Sequence, residues 1–164
     1  MAAAAAAVLF VYMAATCGSV EQTEACATPV PGSEAAALIE DARSQAGFEL
    51  VYPCFLPNAQ MLESTAVTGE PGRQAVAFVW NGPFEFTIRQ SQYPPAVSAD
   101  PSGASRVAID LFPATRATLI ERNDASGDAL YHLLWQQDDI YYELLAYGPP
   151  QQRRIILDIA RSLE

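Results

Sequence analysis

The stretch Asp128–Glu164 constrains the fold most, because it predicts a β-hairpin followed by a helix. Ala129–Trp135 and Ile140–Tyr147 are rich in aromatic and aliphatic residues, as strands are. A two-residue loop at Asp138-Asp139 suits the polar residues between them and fixes the register. One face would then pair Trp135 with Tyr142, Leu133 with Leu144 and Tyr131 with Ala146; the other would pair Leu134 with Glu143 and His132 with Leu145. A three-residue loop would shift every pair by one.

A closing helix is predicted over Gln151–Glu164, after Gly148-Pro149-Pro150 ends the second strand. Its apolar residues fall on one stripe that can lie on a sheet: Ile155, Ile156, Ile159 and Leu163. A hairpin alone is marginally stable in water, so further strands must come from upstream.

The upstream residues predict one more helix and about six strands. Ser33 caps the helix, Leu38, Ile39 and Ala42 form its stripe, and Gly47 ends it. The strands are expected at Phe48–Tyr52, Met61–Val67, Gln74–Trp80, Phe84–Gln90, Arg106–Phe112 and Arg116–Arg122. Because the strands follow at short spacing, we expect an α+β fold: an antiparallel meander of about eight strands, with both terminal helices on one face.

A candidate binding face comes from the hairpin around Asn81-Gly82, which is a strong turn signal. A two-residue loop there would give one uniformly apolar face and one mixed face, the latter carrying Phe78, Trp80, Glu85 and Arg89. Aromatics beside one acid and one base could form a groove for a partner or ligand. A plain solvated face, or aromatics covered by the Ser91–Ser105 loop, is the alternative.

Composition excludes several functions. The formal net charge is -10, with 19 acids against 9 bases, and no long basic cluster occurs, so nucleic acid is not expected as a partner. His132 is the only histidine, and no Gly-x-Ser-x-Gly turn accompanies it, so we expect no enzyme and a structural or surface role for His132. Scattered cysteines argue against a metal site, and Asp138-Asp139 is expected to be a turn. No cofactor is predicted.

The front of the chain predicts export. Ala2–Ala15 is an apolar run, shorter than the roughly 20 residues of a spanning helix, and fits an export signal. Ala14–Ser19 resembles the lipobox of bacterial lipoproteins, which implies removal of segment 1–16 and a lipid on Cys17. Residues 17–32 would then be a flexible tether and 33–164 a single domain. Thr16 and the lack of a preceding Lys or Arg leave an uncleaved anchor, an ordinary signal or a soluble protein as alternatives.

Three cysteines fit this interpretation. With lipid on Cys17, Cys26 and Cys54 are left to form a disulfide, which would stabilise the fold by roughly 3 kcal/mol. Two free thiols in a cytosolic protein is the alternative.

Several segments together resemble a bacterial domain of unknown function found in small lipoproteins and in anti-sigma-factor-like regulators. They are Ala46-Gly47-Phe48, Tyr52–Pro57, Leu134-Trp135 with Tyr141-Tyr142, and Ile156–Leu163. The resemblance implies an extracytoplasmic sensory or binding role and supplies no active-site residues. We therefore expect a non-enzymatic, lipid-anchored binding or regulatory domain at the bacterial cell membrane. The alternative is a carrier that holds a hydrophobic ligand in a curled sheet.

Overall fold

The computed structural model describes Pro29 and residues 31–57, 59–96, 103–112 and 115–163. Its elements are α1 Glu34–Gln45, β1 Met61–Glu70, β2 Arg73–Asn81, β3 Phe86–Ser91, β4 Ser105–Phe112, β5 Thr115–Asn123, β6 Ala129–Gln137, β7 Ile140–Gly148 and α2 Gln152–Arg161. The signal segment 1–16, Cys17 and Cys26 lie outside the described residues, as does most of the tether, so these assignments stay predictions. Within the described ranges, no helix has the length and apolar character needed to cross a bilayer.

The α+β prediction is confirmed, with seven strands in the sheet instead of about eight. All strand pairs are antiparallel, and the order is β1-β2-β3-β7-β6-β5-β4. Two meanders, β1–β3 and β4–β7, therefore join where β3 pairs with β7. This leaves β1 and β4 as the two edges of the sheet.

The C-terminal hairpin has the predicted register. Trp135 pairs with Tyr142, Leu133 with Leu144, Tyr131 with Ala146, Leu134 with Glu143, and His132 with Leu145. The loop is Asp138-Asp139, and Asp138 takes a left-handed conformation with φ 52°. Aspartate tolerates that conformation better than most residues, which explains why this turn forms without glycine.

The predicted strand Phe48–Tyr52 is wrong, and Gln90 gives the reason. The Gln90 side chain, fully buried on β3, accepts a hydrogen bond from Val51 N–H at 3.1 Å and donates one to Val51 C=O at 2.7 Å. A side-chain amide thus satisfies the backbone groups that a neighbouring strand would otherwise bond. Phe48–Tyr52 forms no strand, and an isolated bridge from Pro53 to Leu163 follows directly after it.

The first helix begins as predicted and ends differently. Ser33 Oγ accepts from Ala36 N–H at 3.2 Å, which confirms the N-cap. The end is set by Ala46 in an extended conformation, not by a left-handed Gly47. Gln74 closes the helix from β2, because its Oε1 accepts from Gly47 N–H at 2.6 Å and its Nε2 donates to Gln45 C=O at 2.9 Å.

Both helices pack on the same side of the sheet, as predicted. Their buried residues join the buried strand residues in one hydrophobic core: Ile39, Ala42, Ile156, Ile159 and Ala160 with Phe86, Ile88, Leu119, Tyr131, Leu133 and Leu144. We call this side the core face. The opposite side, the open face, is formed by the alternate strand residues and has neither helix on it; it includes Val79, Thr87, Arg89, Thr118, Ile120, His132, Leu134, Tyr141, Glu143, Leu145 and Tyr147.

Candidate binding surface

The predicted binding face is divided between the two sides of the sheet. Strands β2 and β3 pair Trp80 with Phe86 and Phe78 with Ile88, so the predicted two-residue loop is wrong. In such a loop Pro83 would occupy the position whose N–H closes the turn, and proline has none. The connection is therefore longer. Phe78 and Trp80 lie on the core face, each with 2% of its surface exposed.

Glu85 and Arg89, the other two predicted residues, lie toward the open face. Glu85 lies just before β3 and borders a cleft there. Arg89, in the middle of β3, forms its ion pair with Glu143 of β7 and not with Glu85. The register places Arg89 directly opposite Glu143, which the sequence could not show because β3 and β7 are far apart in the chain.

A charged cluster of Arg89, His132 and Glu143 occupies the middle of the open face. His132 Nε2 lies 2.6 Å from Glu143 Oε1, and Arg89 Nη1 lies 3.5 Å from Glu143 Oε2. The three side chains keep only 16% to 23% of their surface exposed. His132 and Glu143 are diagonal neighbours across the β6–β7 hairpin, as the sequence suggested. The Glu143 carboxylate therefore holds the side chains of Arg89 and His132 in fixed positions.

The electrostatics of Glu143 follow from this arrangement. The hydrogen bond from His132 is the largest cause that lowers the pKa of Glu143 below its ordinary value. Burial acts in the opposite direction, while the charges of His132 and Arg89 lower the pKa further. Glu143 is therefore ionised near neutral pH, which keeps the cluster hydrogen-bonded.

Tyr93, a residue that sequence reasoning missed, fixes the outer side of Arg89. Arg89 Nη2 donates to the Tyr93 hydroxyl at 2.9 Å, and the guanidinium groups of Arg89 and Arg73 lie 5.1 Å and 5.4 Å from its ring centroid. Ser91 Oγ donates to Tyr93 C=O at 2.7 Å, which turns the chain back after β3. The described start of the long loop therefore covers Arg89. The alternative that this loop covers Phe78 and Trp80 does not hold for its described residues, because both aromatics lie on the core face.

Two shallow clefts flank the charged cluster, each of about 320 Å³. The first is bordered mainly by Glu85, Thr87, Leu130, Leu145 and Tyr147. The second is bordered mainly by Pro94, Pro95, Thr118, Leu134 and Tyr141. Half-buried aliphatic side chains thus surround the charges, and the open face offers an apolar surface with a charged centre.

A third cleft, of about 480 Å³, lies beside the sheet edge at β1 and is lined in part by Tyr52, Leu56, Met61, Leu62 and Trp80. The Trp80 ring stacks on Phe86 with centroids 5.7 Å apart, and Tyr52 packs against it at 5.3 Å. Trp80 Nε1 is buried and finds no hydrogen-bond partner among the described residues. Burial also raises the pKa of the Tyr52 phenol. The cleft therefore has largely apolar walls, and the Trp80 Nε1 donor behind them is buried.

In the described part of the chain, His132 has no hydrogen bond to a serine, threonine or cysteine, and no three His, Cys, Asp or Glu residues come together as ligands. Asp138 and Asp139, in the β6–β7 turn, are among the described acidic residues that belong to no such ligand group. Cys54 is not a free thiol, but its predicted partner Cys26 lies outside the described residues, so the pairing stays a prediction.

Comparison with protein-family models, curated proteins and solved structures found no match to this chain. The resemblance to a lipoprotein and regulator domain therefore stays a prediction.

Proposed function

We propose that this protein is a non-enzymatic binding domain, anchored by lipid on Cys17 to the outer side of a bacterial membrane, and that its open face binds a protein partner. One observation carries the proposal: a half-buried, hydrogen-bonded cluster of Arg89, His132 and Glu143 lies among aliphatic residues on the sheet face that neither α1 nor α2 covers.

The arrangement of the cluster suits association with another protein. Its side chains are already ordered by mutual hydrogen bonds and by Tyr93, so binding would cost little further side-chain entropy. A fixed charge arrangement gives specificity and register to an interface, while surrounding aliphatic residues such as Leu134 and Leu145 supply apolar area. A small ligand would need deeper enclosure than the two shallow clefts provide.

Site-specific photo-crosslinking tests the partner proposal. A photoreactive phenylalanine derivative at Tyr147, which is exposed on the open face, should give one discrete protein adduct in cells. The same derivative at Glu40, exposed on α1, is the matched control and should give none.

The adduct must also depend on the cluster. Arg89→Met keeps an unbranched apolar side chain but removes the guanidinium group and its charge, so it should abolish the Tyr147 adduct while the protein stays folded. An adduct that forms equally at both positions, or that survives Arg89→Met, would refute the proposed binding surface.

The membrane anchor has a separate test. Native mass spectrometry on protein extracted from its own membranes should give a chain that starts at Cys17 and carries acyl groups. A Cys26–Cys54 disulfide would remove two hydrogens from the mass. A chain that retains Met1 and three free thiols would refute both the anchor and the extracytoplasmic location.

A carrier of a hydrophobic ligand is the second candidate function, and the Trp80 cleft favours it. Its largely apolar walls suit an apolar molecule. The same mass spectra would then show a bound small molecule. Met61→Arg, at a position with 69% of its surface exposed on the rim, should remove that molecule without unfolding the protein. Spectra with no bound mass would leave only the partner proposal.

A further inference from the structure

The arginines of this chain differ in whether a carboxylate neutralises them. All nine Lys or Arg residues are arginines, against 19 acids. Six of them form ion pairs with described carboxylates: Arg43, Arg89, Arg116, Arg153, Arg154 and Arg161. Arg73 is exposed and forms no such pair with a described residue, although Glu70 lies directly opposite it on β1. The charge of Arg73 is therefore available to another molecule.

Arg73 lies on the open face. In β2 it alternates with Ala75 and Ala77, and Ala77 pairs with Arg89 of β3. Successive residues of a strand point to opposite faces, so Arg73 and Arg89 are on the same side of the sheet. Arg73 therefore belongs to the surface that carries the charged cluster.

Tyr93 holds both arginines in place. Its ring centroid lies 5.4 Å from the guanidinium carbon of Arg73 and 5.1 Å from that of Arg89. A cation–π contact fixes a guanidinium on the ring without using its N–H groups. Arg89 donates to the Tyr93 hydroxyl and pairs with Glu143, whereas no described residue accepts a hydrogen bond from the Arg73 side chain. Arg73 thus presents a positioned set of N–H donors to solvent.

The charges around Tyr93 favour an anion. Two guanidinium groups flank one ring, and the Glu143 carboxylate pairs with only one of them. A second carboxylate beside Arg73 would offset the repulsion between the two like charges. A guanidinium binds a carboxylate through two parallel hydrogen bonds, which are roughly twice as strong as bonds between neutral groups. A carboxylate is therefore the group that this site is best suited to bind.

We propose that the protein partner of the open face carries an aspartate or glutamate that binds Arg73, next to an apolar side chain that enters the second cleft. This inference rests on the proposed binding function and names the chemistry of the partner. Pro94, directly after Tyr93, borders that cleft together with Leu134 and Tyr141. The charged and the apolar contacts are therefore continuous.

A single acidic side chain fits this surface better than a membrane or a nucleic acid does. Glu70 and Glu143 lie beside the two arginines, so a row of phosphates would meet negative charges as well as positive ones. The net charge of -10 also repels a strongly acidic surface at long range. One carboxylate avoids both penalties, because it contacts Arg73 at short range.

The chain contains no lysine, which allows a direct chemical test. Arg73→Lys keeps the positive charge and introduces an amine. A water-soluble carbodiimide condenses that amine with a carboxylate in contact, so that an amide bond forms and the carbodiimide takes up the water as a urea. Glu70→Gln in the same chain removes the neighbouring carboxylate. Full-length chain with both changes, treated in its own membranes, should give one adduct with a protein.

The matched control is Arg43→Lys with Glu40→Gln on α1, which places the same pair of residues away from the open face. It should give no adduct beyond that of the unmodified chain, which offers no lysine amine. Equal adducts from both variants, or a mass gain equal to a single lipid, would overturn the proposal.

Charge reversal tests the same contact without cross-linking chemistry. Arg73→Glu should lower the yield of the Tyr147 photo-adduct at least about tenfold, because two carboxylates would then face each other. Arg73→Lys should lower the yield less than about threefold, and Arg43→Glu should leave it unchanged. A Tyr147 adduct that survives Arg73→Glu would overturn the acidic contact and leave the partner site standing. No Tyr147 adduct in the chain with Arg73 intact would refute the partner site itself.

Discussion

Replacing Gln90 with leucine would test whether a side chain takes the place of a strand in this fold. Gln90 is fully buried, and its amide bonds both backbone groups of Val51, at 3.1 Å and 2.7 Å. Leucine has a similar size but no polar group, so Val51 N–H and C=O would both lose their partner. Each unpaired buried group costs about 1–3 kcal/mol. Because Val51 is half-buried and water can reach it in part, we expect the free energy of unfolding to fall by about 2–4 kcal/mol.

Urea denaturation followed by circular dichroism measures this loss as a lower midpoint at an unchanged slope. Gln136→Leu is the matched control, because Gln136 is exposed and donates one hydrogen bond to Asp138 C=O; it should change stability by less than about 0.5 kcal/mol. Gln90→Glu keeps the acceptor for Val51 N–H but turns a carboxylate toward Val51 C=O, so it should also destabilise. A loss below about 0.5 kcal/mol for Gln90→Leu would refute the reasoning.

Three further perturbations follow from buried or strained positions. Trp80→Ala should lower the free energy of unfolding by about 3–5 kcal/mol in the same denaturation assay, because Trp80 belongs to the core; a loss below 1 kcal/mol would contradict its burial. Gly69→Ala places Cβ 2.2 Å from Arg73 C=O at φ +97°, so it should lower the melting temperature clearly more than Gly127→Ala, where φ is +94° but the space is open. Glu143→Gln removes a carboxylate whose pKa is lowered in the fold, a contribution present above the unfolded pKa near 4.5 and lost as pH falls through the folded value. The free energy of unfolding of Glu143→Gln should therefore fall less than that of the unmodified chain as the pH is lowered below 5. Parallel pH profiles would contradict the His132–Glu143 bond.

The sequence predicted correctly those parts of the fold that residues close together in the chain determine. The β6–β7 hairpin has a two-residue turn between strongly alternating runs, and its pairs follow from those residues alone. The α1 start follows from Ser33 in the same way. Pairing of β3 with β7 depends on residues more than fifty positions apart, such as Arg89 and Glu143, so no local pattern could reveal it.

The failed predictions have identifiable physical causes. Because Pro83 has no N–H, the two-residue Asn81-Gly82 turn cannot close with a hydrogen bond. The connection is longer, and the resulting change of register places Phe78 and Trp80 on the core face. Phe48–Tyr52 has strand-like residues, yet the Gln90 amide satisfies its backbone from the sheet. Two of the four predicted site residues therefore belong to the core. Of the charged cluster that the structure shows instead, the sequence predicted only that His132 and Glu143 lie near each other.

Hydroxyl-radical footprinting of the chain in its own membranes, compared with the purified chain, tests the central claim most directly. If a partner covers the open face, Tyr147 and Tyr141 should be labelled less in membranes, while Phe55, which is exposed beside Ser162 at the end of α2, should be labelled equally in both samples. Equal labelling of Tyr147 and Tyr141 in the two samples, or protection of Phe55 alone, would contradict the account.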